Sequence, residues 1–268
     1  AHSGSRKSLS MASAEYDYVV VGGGSAGCVV ASRLSEDPAS RVLLLEAGGP
    51  DRHPFMKMPA AFYELLKDTR LNWNYTSEAE AYAGNRRFPL QRGKVVGGTG
   101  TVNGMTYSRG DARDYDDWAA AGAKGWGYDD VLPYFRKSET HWRGESRFHG
   151  GSGPMTIVRS NTDRDPFYPA MTAAARALGC EFNDDICAES CEGFSRVEFT
   201  IHRGRRGSTS QRYLRPALKR RNLAVQSRAT VCRIIFSGLK AVGVEYEHNG
   251  ARHTVMASRE IILCGGAF

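Results

Sequence analysis

The residue types and spacings in this chain that could do chemistry are two glycine-rich turns set far apart. The first reads Gly22-x-Gly24-x-x-Gly27, between the β-branched run Tyr16–Val21 and the helical-looking stretch Cys28–Leu34. In this spacing the first glycine permits a tight turn, the second lets backbone approach a pyrophosphate, and the third lets helix and strand pack closely. The helix N-terminus then turns free N–H groups toward phosphate charge. Arg41–Leu45 reads as a second buried strand, and Glu46 stands at its end, where a dinucleotide-binding unit places an acid that accepts hydrogen bonds from ribose hydroxyls. The second turn lies in Arg92–Gly110, RGKVVGGTGTVNGMTYSRG. Another glycine-rich turn so distant from the first implies a cofactor longer than one nucleotide-binding unit can hold, which points to a flavin.

The elements that must position these turns sharpen the choice. A nicotinamide enzyme normally completes its sheet with further short strand and helix units, but here more than two hundred residues separate Glu46 from the next comparable strand, Glu260–Cys264. Such an insertion favours FAD over NAD. Ahead of that strand come four short β-type runs, Leu223–Ser227, Thr230–Phe236, Ala241–Glu247 and Arg252–Ala257, broken by Ser237-Gly238 and by the hairpin signal Asn249-Gly250. A β-meander returning into a Rossmann strand is the layout of the glutathione-reductase-type flavoproteins. Between the second turn and the meander, Asp111–Ala121 and Tyr128–Lys137 read as helices, with Asp111 as a cap. Met155–Val158 reads as a strand, Pro166–Leu178 as a helix, and Ser195–Ile201 as a strand of a second sheet.

Other chemistries find little support. The histidines are His2, His53, His141, His149, His202, His248 and His253, each expected at a surface or turn in polar surroundings. No paired carboxylates, serine–histidine arrangement or metal-spaced cluster is evident. Cys180, Cys187 and Cys191 lie close together without a zinc spacing, and read as free, partly buried thiols. Six scattered cysteines suit a reducing compartment. The apolar runs are strand-length, too short to cross a bilayer as a helix.

The motifs VVGGGSAGCVVASRL, RVLLLEAG, RGKVVGGTGTVNGMTYSRG, AVGVEYEHNG and REIILCGGAF together resemble the N-terminal half of the glucose-methanol-choline (GMC) oxidoreductases, with the greatest likeness to their choline and alcohol dehydrogenase branch. The resemblance extends from about Tyr16 to the last residue. It implies an α/β fold: a Rossmann-like FAD-binding domain of the glutathione-reductase type with a β-meander, plus part of an antiparallel-sheet substrate domain. The expected division is an extension at 1–14, an FAD-binding domain at 15–150 and 223–268, and a partial substrate domain at 151–222, with the C-terminal half of the family fold absent. Carried over position by position, the resemblance makes Gly22, Gly24, Ser25 and Gly27 the pyrophosphate seat and Glu46 the ribose acceptor. Arg92, Gly93, Gly98, Thr99, Asn103, Gly104 and Met105 would run along the flavin half, with Trp73 near the cofactor and Val231 at the adenine. Plain core packing is the other reading for Trp73 and Val231. The family usually has Gly-Gly-Ser-Ser where this chain has Gly97, Gly98, Thr99 and Gly100, and some members link the flavin to a histidine where this chain has Val102. FAD is therefore expected to be held noncovalently.

The chemistry implied by the resemblance is oxidation of a small alcohol to an aldehyde, in which a base takes the hydroxyl proton while a hydride passes to the flavin N5. The family's base is a histidine of the C-terminal half, so no catalytic residue is expected within this chain. A second reading makes the chain a split or degenerate homologue acting as a structural subunit of a larger assembly. Partners under the two readings are a C-terminal GMC fragment or other subunits, with a peripheral membrane or quinone link. The net charge of +7 is concentrated where Phe199–Val244 carries no acid, with Arg203, Arg205, Arg206, Arg212, Arg215, Lys219, Arg220 and Arg221 crowded together. Such a patch could meet an anionic membrane or an acidic partner, and the plainer reading, a solvated face of a helix around Ser210–Arg221, is preferred. Nucleic acid is not expected, because no aromatic residues interleave with these charges. The serine-rich start, Ala1–Ser13, reads as a mitochondrial transit remnant or an expression scar before Met11. Localisation is expected to be mitochondrial, with cytoplasmic as the alternative.

Overall fold

The computed structural model describes residues 15–162 and 165–268. The N-terminal extension, with His2 and Met11, lies outside the described residues. The chain enters through β1 (Glu15–Val21), α1 (Ser25–Leu34) and β2 (Val42–Glu46). A small ribbon, β3 (Tyr75–Thr76) and β4 (Pro89–Leu90), follows. Next come β5 (Thr106–Tyr107), α2 (Ala112–Ala120), α3 (Tyr128–Ser138), β6 (Glu139–His141), β7 (Met155–Arg159), α4 (Phe167–Ala177), β8 (Glu198–His202) and β9 (Arg205–Arg206). The last part is β10 (Leu223–Ser227), β11 (Ala229–Ser237), β12 (Lys240–His248) and β13 (Ala251–Leu263).

The main sheet has the order β10-β2-β1-β13-β12-β11. Its centre is buried because β1 and β2 are runs of branched and aliphatic residues that need cover on both faces. Val20, Val42 and Leu44 pack on one side with Cys28 and Ala31 of α1, while Val19, Leu43 and Leu45 face Val244, Val255 and Ala257 of the meander on the other. Two expectations need correction here. Leu223–Ser227 does not belong to the meander: it pairs in parallel with β2, Leu223 opposite Val42 and Ser227 opposite Glu46, so the parallel sheet regains a strand well before Glu260. Arg252–Ala257 and Glu260–Cys264 are not separate strands either. The single strand β13 pairs antiparallel with β12 through Ala251–Met256 and parallel with β1 from Met256 to Leu263. One continuous backbone thus welds the meander to the Rossmann unit.

The helix expected at Cys28 starts three residues earlier, at Ser25. Asp111 caps α2 as its sequence predicts, with its carboxylate accepting from Arg113 N and Asp114 reciprocating at the Asp111 N–H. The basic stretch departs from its expected form: Ser210–Leu214 is π-helical, followed by a single α-turn at Arg215–Ala217. Nor is it simply a solvated face, because Leu214 and Ala217 join the core beneath α1. Arg220 Nη1 donates to Ser32 O and to Ser35 Oγ at the end of that helix, and Arg206 is buried.

The second sheet runs β5-β8-β7-β6, with β9 on β8, and so takes strands from both sides of residue 150. Beneath it sits a closed group of charges. His149 Nδ1 meets Glu139 Oε1 at 3.0 Å and its Nε2 meets Asp185 Oδ2 at 2.9 Å. Arg109 Nη2 donates to Glu139 at 2.8 Å and Tyr107 Oη to the same carboxylate at 2.5 Å. The His141 ring stacks on His149 at 3.6 Å and bonds Glu198, which also accepts from the Trp142 indole. This corrects the expectation that the histidines lie in surface or turn positions: His141 and His149 are 3% and 1% exposed. All six cysteines are free, but Cys187 is buried whereas Cys180 and Cys191 are exposed.

Burial opposes the charge on both His149 and Glu139, yet their partners outweigh it. Asp185 and Glu139 lift the His149 imidazolium to about 9, and His149, Tyr107 and Arg109 hold Glu139 down to about 2. A folded-state pKa above the ordinary histidine value gives stability that is complete below about pH 6.5 and is lost as pH rises through about 9. The thermal midpoint is therefore expected to fall between pH 7 and 9.5, and His149→Gln to lower it at pH 7 while flattening that slope. Calorimetry across this range checks both, and an unchanged slope in the variant would refute the assignment.

Candidate functional site

The two glycine turns meet backbone against backbone. Gly22 follows β1 at φ +97°, where a Cβ would stand 2.5 Å from Cys264 O, and Gly27 leaves 1.9 Å between its missing Cβ and Gly22 O. No side chain fits at either place. The second turn then closes on the first: Gly97 N donates to Gly23 O at 2.7 Å, and a Cβ on Gly98, itself at φ +54°, would lie 2.8 Å from Gly24 Cα. Gly48 completes the junction, since its Cβ would collide with the Lys94 carbonyl at 2.0–2.1 Å.

Around this contact opens a cavity of about 760 Å³. Gly22, Gly24, Ser25, Glu46, Trp73, Arg92, Gly93, Gly98, Thr99 and Val231, all predicted from the sequence, line it together. Gly27, Asn103, Gly104 and Met105 do not. Gly27 serves the packing of α1 on β1, and the 103–105 turn stands behind the wall, with Met105 at φ +62° and only 4% exposed. Trp73 and Val231 each line the cavity; Val231 also packs on the meander core, whereas Trp73 stacks on the exposed Tyr75 under the Lys94 ammonium. Sequence reasoning missed Tyr75, Cys264, Gly265 and Gly266, which also line it. The Gly265-Gly266 pair after a β-branched strand repeats the Val21–Gly23 pattern and was the available signal.

Charges around the cavity suit an anionic dinucleotide. α1 begins without a side-chain cap and without an acid in its first turn, so the free N–H groups at Ser25 and Ala26 face the cavity with the positive end of the helix. Glu46 is the carboxylate among the lining residues. Its Oε2 accepts from Gly23 N and its Oε1 from Gly48 N, each at 2.7 Å, which leaves further lone pairs for a hydroxyl donor. Burial pushes its pKa up, against the pull of those two N–H groups. The volume lies within the range of cofactor sites, and Gly24 holds open space rather than protein against its missing Cβ, with Cys264 O no nearer than 4.0 Å. These residues fit a dinucleotide with its pyrophosphate on α1. Among the described residues no cluster of His, Cys, Asp and Glu could hold a metal ion, and no helix is long and apolar enough to cross a membrane.

Fold and cavity define a dinucleotide-binding unit of the flavoprotein type. Residues 16–268 match the family described as GMC oxidoreductase, and the chain belongs to that family. It is 47% identical to an oxygen-dependent choline dehydrogenase of Paraburkholderia phytofirmans over 96% of this chain and 46% of that protein. To the mitochondrial choline dehydrogenase of Mus musculus it is 45% identical, over 98% of this chain and 45% of the mouse protein. Among solved structures, an FAD-dependent oxidoreductase from Chaetomium thermophilum superposes with a TM-score of 0.86 at 32% identity, over 94% of this chain and 45% of the other. The chain spans about half the length of the curated relatives it matches.

Two glycines separate folding from binding. Gly24→Ala, in a permitted conformation with open space ahead of it, is expected to keep the wild-type melting temperature while weakening dinucleotide affinity about tenfold or more, because its methyl enters the cavity. Gly98→Ala is expected to lose several degrees of thermal stability through the clash with Gly24. Differential scanning fluorimetry beside a cofactor-binding titration would show whether the two effects part in this way.

Proposed function

We propose that this chain is the FAD-binding part of a choline dehydrogenase-like alcohol oxidoreductase. The observation that carries the reading is the backbone closure of the Gly22–Gly27 turn by the Gly97–Gly98 turn at the mouth of one cavity, an arrangement suited to a cofactor that spans both. FAD, when bound, supplies the hydride acceptor for the carbon bearing the alcohol.

The chain's own residues bind and orient. The N-terminal N–H groups of α1 neutralise the pyrophosphate, Glu46 accepts from ribose, and Val231 with Ala229 and Thr230 forms the wall for the adenine. Arg92, Gly93, Gly98 and Thr99 line the flavin half. Val102 is 1% exposed and packed among Met56, Leu65 and Val95; a valine has no atom to link to a flavin, and the cofactor is held noncovalently. The base that takes the alcohol proton is not supplied from these walls. Among the described residues no histidine lines the cavity, and His141 and His149 are committed to carboxylates. The base belongs to the further length of the family fold, as the likeness to relatives about twice as long implies, and that length also completes the substrate side. A mitochondrial location is supported by the mouse relative, and the bacterial relative of similar identity supports none.

The full-length protein is expected to retain a yellow flavin through desalting, to release it entirely on acid denaturation, and to lose its visible absorbance when choline or another primary alcohol is added without oxygen. A flavin that stays with the denatured polypeptide would refute noncovalent binding. A colourless protein that takes up no FAD would refute the cofactor, and a bound flavin that no alcohol reduces would refute the activity.

A further inference from the structure

Arg206 is a buried cation without a counter-ion among the described residues. It is 3% exposed. Its Nη1 donates to Asn103 O at 2.6 Å and to Asn103 Oδ1 at 2.9 Å, whereas Nε and Nη2 are buried with no acceptor. Burial alone pulls its pKa down to about 10, with no opposing carboxylate to restore it. Arg109, comparably buried, shows the usual solution, since its guanidinium closes on Glu139. A buried guanidinium left half satisfied is costly, so its retention at this place asks for a reason.

The place is the back of the cavity wall. Asn103 N donates to Thr99 O at 2.9 Å, and Thr99, which lines the cavity, receives Gly93 N on its hydroxyl. Asn103 Oδ1 also accepts from Met105 N at 3.1 Å and so supports the left-handed Met105. On the far side of the turn Met105 O accepts from Thr200 N at 2.9 Å. The β8–β9 hairpin thus grips the 103–105 turn at both ends, with Thr200 on one and Arg206 on the other.

We propose that Arg206 is a positioning residue for the cofactor loop, and that its uncompensated charge behind the Gly93–Thr99 wall favours the reduced, negatively charged state of the bound FAD. The inference rests on the reading that FAD occupies this cavity. In a wall of low dielectric a fixed positive charge lacking a counter-ion acts on the nearest group that gains negative charge, and reduction adds that charge to the flavin. Asn103 transmits the geometry, and the guanidinium supplies the field.

The test is the midpoint potential of the FAD-loaded full-length protein, measured against reference dyes for wild type, Arg206→Gln, Arg206→Lys and the exposed control Arg205→Gln. Arg206→Gln is expected to disfavour reduction at least tenfold, about 30 mV for a two-electron couple. Arg206→Lys is expected to keep the wild-type potential with weaker FAD binding, and Arg205→Gln to match wild type in both. A wild-type potential in Arg206→Gln with FAD bound overturns the proposal, as does a lysine variant that falls as far as the glutamine one. If Arg206→Gln does not fold, the lysine variant decides, and a fall of about 30 mV there counts against the charge. Wild-type protein that binds no FAD would instead refute the proposed function, and the two failures remain distinguishable.

Discussion

The contact between Gly24 and Gly98 is the constraint on which the rest of the site depends. Two turns far apart in sequence approach until a methyl group on Gly98 would lie 2.8 Å from Gly24 Cα, and the bond from Gly97 N to Gly23 O fixes their register. Everything that lines the cavity is placed relative to this junction. The helix dipole of α1 points where it does because Gly22 and Gly27 let the chain reverse tightly after β1. The 92–99 wall stands across from it because Gly48 lets Lys94 pass against the end of β2. Close backbone approach without side chains fixes the geometry here, and Val96, packed with Val20, Cys28 and Ala31, anchors the second turn to the core beside it.

Buried charge is handled in two ways around β5. Glu139, His149, Arg109, Asp185 and Tyr107 form a closed set in which each group has partners, and the net effect is to tie β5 and β6 to the 181–191 loop. Such a set specifies one arrangement of loops rather than adding much stability, because the desolvation of its members offsets most of their attraction. Arg206 is likewise buried and has no such closure among the described residues. The two sites share the 103–109 stretch, so the order of the charge cluster and the shape of the cofactor wall are mechanically joined through β5.

The cofactor loops were legible in the sequence because their requirement is local: a strand, glycines at fixed spacing, a helix and an acid announce the turn whatever surrounds them. The same holds for the Asp111 cap and the Asn249-Gly250 hairpin, whose turn residues sit at positive φ. What escaped was non-local. Leu223–Ser227 reads as one more short strand, and only pairing with β2 makes it part of the parallel sheet. His141 and His149 lie in stretches rich in polar residues, and their burial depends on Glu198 and Asp185 arriving from elsewhere in the chain. The basic run misled for a related reason. Charge counts treat Arg206 and Arg220 as equal to Arg205, yet one supports Asn103, another closes the end of α1, and the third is exposed.

That difference among neighbouring arginines bears on how the cavity selects its cofactor. Each element that the proposed reading assigns to the dinucleotide is backbone or nearly so: N–H groups on α1, glycine faces, and a carboxylate held by two peptide N–H groups. Elements of that kind choose shape and negative charge but are indifferent to redox state. A side chain with a fixed full charge is needed to tell an oxidised ring from a reduced one, and the lining offers Arg92, which lies 4.6 Å from the Phe268 ring. Lys94 holds its ammonium 4.4 Å from the Trp73 ring, and behind the wall Arg206 stands beyond Asn103, shielded from water. A charge in that position changes little with salt or with the substrate present, whereas an exposed one would be screened. On the proposed reading the same guanidinium does two things through Asn103: its hydrogen bonds support the loop, and its charge acts behind it.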